Sequence, residues 1–345
     1  MIPIQNIYYM LSYAFQVLNE QGYKNIATEQ FNNTGELMAA ILEKGIAIQL
    51  KRGLGKEYIL QTEALSSLRG KIDIAESIKT QSMLRKQLIC TYDEFSVNSI
   101  MNRIIKSTVE LLLRSNISKQ RKKNLRKLMV YFREVDFIDL YTVNWNVQYN
   151  RNNQTYRMLI SICYLVVKGL LQTQSNGHTE LMDFLDEQRM CRLYEKFILE
   201  YYRKEFKNQF TANASQIPWQ LDNEENSMLP VMQSDIMLQS GEKVLIIDAK
   251  YYEHSTQVQF DKHTLHSGNL YQIFTYVKNK EYELREKNHT VSGMLLYAKT
   301  DEEIYPNNVY QMSGNQITVR TLDLNLPFDE IAGQLNTIAK THFDL

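Results

Sequence analysis

Residues 229–252 read LPVMQSDIMLQSGEKVLIIDAKYY. Two apolar runs rich in Val, Ile, Leu and Tyr flank Gln239-Ser240-Gly241-Glu242, whose Ser-Gly pair is a turn signal, and the pattern predicts a β-hairpin. The first arm carries Asp235 and the second ends in Asp248-Ala249-Lys250. Side chains alternate along a strand, so Asp248 and Lys250 point the same way. Asp235 and Asp248 lie at similar distances from the turn, and strand pairing brings them near each other. The run Val244-Leu245-Ile246-Ile247 is apolar on both faces, as a strand buried in a sheet requires.

Two carboxylates a few ångströms apart raise each other's pKa unless a cation lies between them. Hard oxygen ligands suit Mg²⁺, which works beside phosphate groups. A metal held there polarises a phosphodiester and acidifies a bound water, and a nearby lysine orients that water or neutralises charge developing on phosphorus. Asp-x12-Asp-Ala-Lys on a hairpin therefore has a mechanism for phosphodiester hydrolysis. An exposed hairpin with ordinary surface charges has the same pattern.

Two flanking segments bear on that choice. Asn269 to Tyr276 reads as helix, with Gln272 and Tyr276 four apart on one face. Both residue types can reach a sugar-phosphate backbone; a helix packed on the sheet with Tyr276 half buried gives the same spacing. Upstream, Arg192 to Tyr202 reads as an amphipathic helix with Leu193, Phe197 and Ile198 on its apolar side and Tyr194 and Tyr201 beside them. Glu195 on that helix is a candidate metal or water ligand, or a solvated surface acid. The order of Glu195, then Asp235 with Asp248-x-Lys250, then Gln272-x-x-x-Tyr276 resembles the PD-(D/E)xK nuclease superfamily, and the Gln-x-x-x-Tyr element resembles its RecB-type branch. Ser234 stands where the first motif usually has proline.

At 345 residues the chain has room for two domains. Hydrophobic residues make up 44%, which favours filled cores over disorder. Lys+Arg and Asp+Glu both total 39, whereas a protein that grips nucleic acid alone is usually basic, so a local basic patch or delivery to DNA by a partner is expected. Cys90, Cys163 and Cys191 lack paired spacing, which fits a reducing cytoplasm and offers no zinc site. His254, His263 and His266 have no neighbouring Cys and no H-E-x-x-H pattern, and read as a polar loop. No signal peptide and no membrane span is read; Met158 to Val167 is the longest apolar run and is too short to cross a bilayer. No G-x-x-x-x-G-K-[ST] loop is present, so nucleotide hydrolysis by this chain itself is not expected.

In chain order, Pro3 leads into a helix with Asn6 as N-cap and a stripe of Ile7, Leu11, Ala14, Phe15 and Leu18. Helix is predicted over about 36–49, strand-like pieces over 58–61, 68–74 and 87–92, and helix over 97–113. Arg114 to Arg133 is a basic block containing Lys119, Arg121, Lys122, Lys123, Arg126 and Lys127 with no acid. It can meet phosphates or an acidic partner, or be a solvated face opposite Leu125, Leu128, Met129 and Phe132. The Asn-rich stretch 144–155 places a domain boundary at about 150: a small α+β domain over 1–150, then a mixed α/β sheet flanked by helices over 151–345. Helices over 157–171 and 184–202, a strand over 290–297, a strand pair around Gly314-Asn315 and a last helix from about Phe328 complete the second part.

Ile2-Pro3-Ile4-Gln5-Asn6-Ile7-Tyr8-Tyr9-Met10-Leu11-Ser12-Tyr13-Ala14 closely resembles the opening of McrC proteins, nuclease subunits of McrBC-type restriction systems. So do Arg69-Gly70-Lys71-Ile72, Asn102 to Thr108, and His266-Ser267-x-Asn269-Leu270-Tyr271-Gln272. The likeness runs from Ile2 into the last helix. It implies a restriction-endonuclease-like C-terminal domain that cuts double-stranded DNA bearing modified cytosine. Mg²⁺ would be held by Asp235, Asp248, the Ala249 carbonyl and Glu195, with Lys250, Gln272 and Tyr276 assisting. It implies an N-terminal domain that docks on a hexameric AAA+ GTPase of the McrB type and stimulates it, with 51–95 as the first candidate contact. A stand-alone RecB-like repair nuclease and a non-catalytic activator of an AAA+ ring are the other readings.

Overall fold

The computed structural model describes residues 2–15, 33–150, 155–173, 187–222, 228–252, 257–259, 262–299 and 305–345, with single residues 18, 23, 26, 29, 31 and 153. The elements run α1 (Ile4–Ala14), α2 (Thr34–Arg52), β1 (Glu57–Leu65), β2 (Lys71–Asp73), α3 (Ile74–Lys79), β3 (Leu88–Ser96), α4 (Ile100–Arg114), α5 (Lys119–Met129), α6 (Tyr156–Thr173) and α7 (Glu187–Glu205). There follow β4 (Thr211–Asn213), β5 (Gln216–Ile217), β6 (Met232–Gln233), β7 (Ile236–Ser240), β8 (Lys243–Lys250), β9 (Gln257–Gln259), β10 (Lys262–Thr264), α8 (Ser267–Glu283), β11 (Thr290–Ala298), β12 (Asn308–Met312), β13 (Asn315–Leu322) and α9 (Phe328–Phe343).

The chain folds as two compact units, Met1–Phe31 with Asp183–Leu345, and Asn32–Met182. They do not part at residue 150. α1 packs on α7 within the first unit, and α6 packs on α2 and α4 within the second. Aromatic rings join α1 to its unit: Tyr9 stacks on Phe328 at 4.5 Å, and Tyr13 lies against Phe197, Tyr201 and Phe328. Asn6 does not cap α1 as its position in the sequence suggests. The helix starts at Ile4, after Pro3, whose ring already fixes the φ that a helix start needs. The buried Asn6 amide instead donates 2.8 Å hydrogen bonds to the Leu324 and Leu326 carbonyls, satisfying backbone that leads into α9.

In the first unit a six-stranded mixed sheet runs β12-β13-β11-β8-β7-β4. β13, β11 and β8 are parallel neighbours; the β12, β7 and β4 pairings are antiparallel. The β7–β8 hairpin turns through Gly241, whose φ of 55° explains the glycine. Along β8, Val244 and Ile246 join Ile273, Tyr276 and Val277 of α8 in one core with Val291, Leu295, Ile317 and Val319. Leu245 and Ile247 point to the other face. That face is covered too: Leu296 and Leu322 border a cavity with Gly333 and Thr337 of α9, and α7 packs on β8. A strand covered on both sides has no use for polar residues until its end, which is where Asp248 stands.

Gly293 of β11 lets α8 approach the sheet. A β-carbon there would sit 2.8 Å from Ile273, Ile317 and Val277. Gly293→Val is therefore expected to cost about 3 kcal/mol or more by overpacking, read as a lowered urea midpoint with unchanged slope.

In the second unit, β1, β3 and β2 form an antiparallel sheet in the order β1-β3-β2. The strand expected over 68–74 is cut to Lys71–Asp73, because the Asp73 carboxylate accepts the Glu76 N–H at 2.9 Å and caps α3. Beneath, Tyr156 of α6 accepts from the Gly55 N–H and donates to Asn102 of α4, both at 2.7 Å. Asn102 in turn donates to the Gly55 and Val97 carbonyls, so a wholly paired polar network ties α4, α6 and the strand lead-in together.

Candidate active site

The β7–β8 register pairs Ile236 with Ile247, and one further step sets Asp235 opposite Asp248. Opposed residues of an antiparallel pair share a face. The ladder ends there. The Asp235 carboxylate accepts the Ala249 N–H at 2.9 Å, and so takes over a backbone donor that the strand pairing leaves free. Asp248 is 1% exposed. Lys250, two residues on and on the same face, donates to Asp248 Oδ1 at 3.0 Å and to Gln272 Oε1 of α8 at 3.3 Å. Gln272 Nε2 donates to the Tyr276 hydroxyl at 3.0 Å. The expected face-sharing of Asp248 with Lys250, and of Gln272 with Tyr276, is thus observed as one connected chain.

Asp248 Oδ2 lies 2.8 Å from the Lys250 ammonium, yet that approach lacks hydrogen-bond geometry, and the oxygen is buried without a hydrogen-bond partner. Burial raises the Asp248 carboxyl to about 7; the Lys250 charge opposes this and Asp235 adds to it. Burial pulls the Lys250 ammonium down, but Asp248, Asp235 and Tyr252 together outweigh it, and Lys250 stays protonated above the usual lysine value.

Glu195 comes from α7. Its Oε1 accepts from Cys191 Sγ at 3.1 Å, one helical turn earlier. Burial raises the Glu195 carboxyl and the Asp235 charge raises it further, against Cys191, Lys250 and Arg192. Glu195 is thus half-buried and feels the charges of Asp235 and Lys250. Its half-buried place follows from α7 itself, whose Leu193, Tyr194, Phe197 and Ile198 are buried on either side of it. The Cys191 thiol, pushed up to about 12 by burial and Glu195, stays protonated and unreactive.

Three residues join the site that the catalytic pattern did not single out. Asn269 Nδ2 donates to the Tyr297 hydroxyl at 2.9 Å, and Asn269 Oδ1 accepts from the Tyr252 hydroxyl at 3.5 Å. Tyr297 is the β11 neighbour of Lys250. The signal for Asn269 was its spacing: it stands three before Gln272 and seven before Tyr276, on one helix face. Tyr252 and Tyr297 carry no such signal, since a strand tyrosine is ordinarily core. Among the histidines, His254 lies outside the described residues, His263 is in β10 and His266 precedes α8.

Three carboxyls against one ammonium leave an excess of negative charge at the sheet end. Among the described residues no three His, Cys, Asp or Glu side chains stand together as a ready metal cluster. The donor set nevertheless fits a hard divalent cation. It offers Asp248 Oδ2, which holds no hydrogen bond and has only the Lys250 ammonium beside it, with Asp235 opposite and Glu195 from α7, all oxygen and all negative when ionised. Among the described residues no helix is long and apolar enough to cross a membrane.

The chain resembles known proteins over most of its length. It is 29% identical over 330 residues to the type IV methyl-directed restriction enzyme EcoKMcrBC of Escherichia coli K12, a match spanning 94% of this chain and 93% of that protein. A chain from the half-complex of a tetradecameric assembly of Thermococcus gammatolerans McrB AAA+ hexamers with bound McrC is 18% identical, with TM-score 0.48, and covers 97% of this chain and 76% of its own. A chain of the Thermococcus gammatolerans McrBC complex is 23% identical, with TM-score 0.43, over 59% of each. The family model for the McrBC 5-methylcytosine restriction system component matches residues 5–298. With that span running from α1 to the end of β11, the chain belongs to the McrBC family of 5-methylcytosine restriction system components.

Proposed function

We propose that this chain is the Mg²⁺-dependent endonuclease subunit of a McrBC-type system, cutting double-stranded DNA that carries modified cytosine when docked on a McrB-type AAA+ GTPase hexamer whose GTP hydrolysis it stimulates. The observation that supports the nuclease reading best is the buried chain Asp248–Lys250–Gln272–Tyr276 with Asp235 opposite and Glu195 adjacent. Burying a carboxylate and a lysine costs desolvation energy that pairing only partly offsets, and such groups cluster at functional sites.

Asp235, Asp248 and the Ala249 carbonyl, with Glu195, would hold Mg²⁺. Bound there, the ion supplies Lewis acidity toward a phosphodiester oxygen and toward a water. Lys250, kept protonated, orients the attacking water and offsets negative charge developing on the phosphate. Gln272 accepts from Lys250 and fixes where the ammonium points; Tyr276 fixes Gln272 in turn. Asp235 holds the Ala249 N–H and with it the backbone between the two catalytic side chains.

The pH dependence of metal binding tests this assignment. Asp248 must be ionised to ligate. Below its pKa of about 7 a cation has to displace a proton, so Mn²⁺ or Mg²⁺ affinity is expected to rise with pH toward about 7 and level off above it. Calorimetry on the full chain reads this, with Asp248→Asn expected to remove most of both affinity and slope. Tight binding with no pH dependence in the wild type would count against Asp248 as ligand.

The partner reading draws on the family and on the β1–β3–β2 sheet. Tyr58 and Leu60 of β1 share one face with Phe95 of β3, which pairs with Tyr58, and all three are exposed. Leu68, Ile74, Ile78 and Leu84 are exposed around the same sheet. An apolar surface of this kind marks a protein contact.

A further inference from the structure

We infer that the solvent face of α5 is a second DNA contact, a sequence-independent clamp on the phosphate backbone formed by Lys119, Lys122, Lys123, Arg126 and Lys127. α5 spans Lys119–Met129 and has no acidic residue anywhere along it. Leu125 is buried, and Arg121 turns inward to pair with Glu36 and Glu43 of α2 at 3.3 and 2.9 Å. At 100° per residue the five remaining cations fall within an arc of about 140° on the opposite side, over roughly 12 Å of helix. Lys119, Lys123, Arg126 and Lys127 are exposed, Lys122 half-buried. None of the five forms an ion pair among the described residues.

This arrangement works against the helix that carries it. Lys119/Lys123, Lys123/Lys127 and Lys122/Arg126 are like-charge pairs four apart, which destabilise a helix. Lys119 and Lys122 also sit in the first turn, where the helix dipole disfavours cations. Arg121 accounts for the packing on α2, and Arg126 and Lys127 in the last turn suit the helix dipole, but among the described residues Lys119, Lys122 and Lys123 have no ion-pair partner. A regular polyanion supplies one. Steps of four residues advance about 6 Å, and a duplex presents a charge every 1.7 Å or so of its axis. Between Lys119 and Lys127 no large apolar side chain is exposed, and the exposed Val130 and Tyr131 lie just past the helix end, so the cationic stretch itself carries no apolar anchor of the kind protein interfaces are built on. Charge without anchors is the signature of backbone contact, which positions DNA and reads no sequence. On a chain with 39 basic and 39 acidic residues, such contact has to come from a local patch. The inference shares with the proposed function only that the substrate is DNA; α5 belongs to the other compact unit from the Asp248 site.

The test is fluorescence anisotropy of a labelled unmodified duplex with the full chain, in EDTA, across 50–200 mM salt. Lys119→Gln/Lys123→Gln/Arg126→Gln/Lys127→Gln is expected to weaken binding roughly tenfold or more at low salt and to flatten the slope of log K against log salt by roughly 3 to 4. Lys119→Arg/Lys123→Arg/Lys127→Arg keeps the charge and is expected to keep both. The assay contains EDTA and needs no bound metal, so a failed metal assignment leaves this result standing. Equal affinity and slope for the Gln variant, or no binding by the wild type at 50 mM salt, would overturn the inference. Unchanged DNA binding with lost stimulation of the GTPase partner would overturn it in favour of an acidic protein surface.

Discussion

Asp248→Asn is expected to reduce DNA cleavage by about a thousandfold or more while leaving partner docking and GTPase stimulation within about twofold of wild type. Asn matches Asp in size, so the packing around a residue only 1% exposed is kept, and its amide oxygen can still accept the Lys250 hydrogen bond seen at 3.0 Å. What is lost is the negative charge and the second carboxylate oxygen, Oδ2, which holds no hydrogen bond, the two properties that suit the position to a divalent cation. Lys250→Ala makes the complementary case. It removes the group that offsets developing charge and strands a buried carboxyl, so cleavage should fall by roughly a hundredfold or more with some loss of stability. Plasmid cleavage and partner GTP hydrolysis measured on the same preparations separate the readings. If both activities disappear together in Asp248→Asn, the residue is structural and the site assignment fails.

The second large effect is expected at the β1–β3–β2 sheet. Tyr58→Ser/Leu60→Ser/Phe95→Ser should abolish most GTPase stimulation, with partner affinity reduced by about a hundredfold. The side chains are 74%, 67% and 55% exposed, so the fold does not depend on burying them. Their contacts within the fold include the cross-strand Tyr58–Phe95 ring pair at 5.0 Å and the Lys56 ammonium 5.7 Å over the Phe95 ring, each worth about 1 kcal/mol or less. A stable variant that no longer stimulates the partner is the expected outcome, read by thermal melting alongside GTP hydrolysis. Full stimulation by the variant would move the docking surface elsewhere.

Much of the geometry of the candidate site was legible in the sequence because hairpins obey simple counting. The turn at Gly241 fixes the register, the register sets Asp235 opposite Asp248, and the period of two brings Lys250 to the same side. Gln272 and Tyr276 followed from the helical period and proved to be hydrogen-bonded to each other. For Glu195 the sequence leaves a metal or water ligand and a solvated acid both open. Its closeness to Asp235 depends on where α7 crosses the sheet end, a tertiary fact that no local period encodes. The same limit hid Tyr297, which reaches the site through a parallel strand neighbour far away in sequence. Asn6 shows a local signal overridden: a good capping residue was drawn into pairing with carbonyls more than 300 residues away. The compact units likewise follow packing rather than composition. The Asn-rich stretch near 150 looked like a boundary, yet α6 beyond it completes the core of α2 and α4.

The most direct measurement is cleavage of cytosine-methylated and unmethylated plasmid in Mg²⁺ by this chain alone, and then with its AAA+ GTPase partner and GTP, with Asp248→Asn as control. Cutting of the methylated plasmid only, and only with partner and GTP, lost in Asp248→Asn, is the expected result. Cutting by the chain alone would instead make it an independent nuclease. Faster GTP hydrolysis without any cutting would contradict the nuclease assignment and leave an activator of the ring.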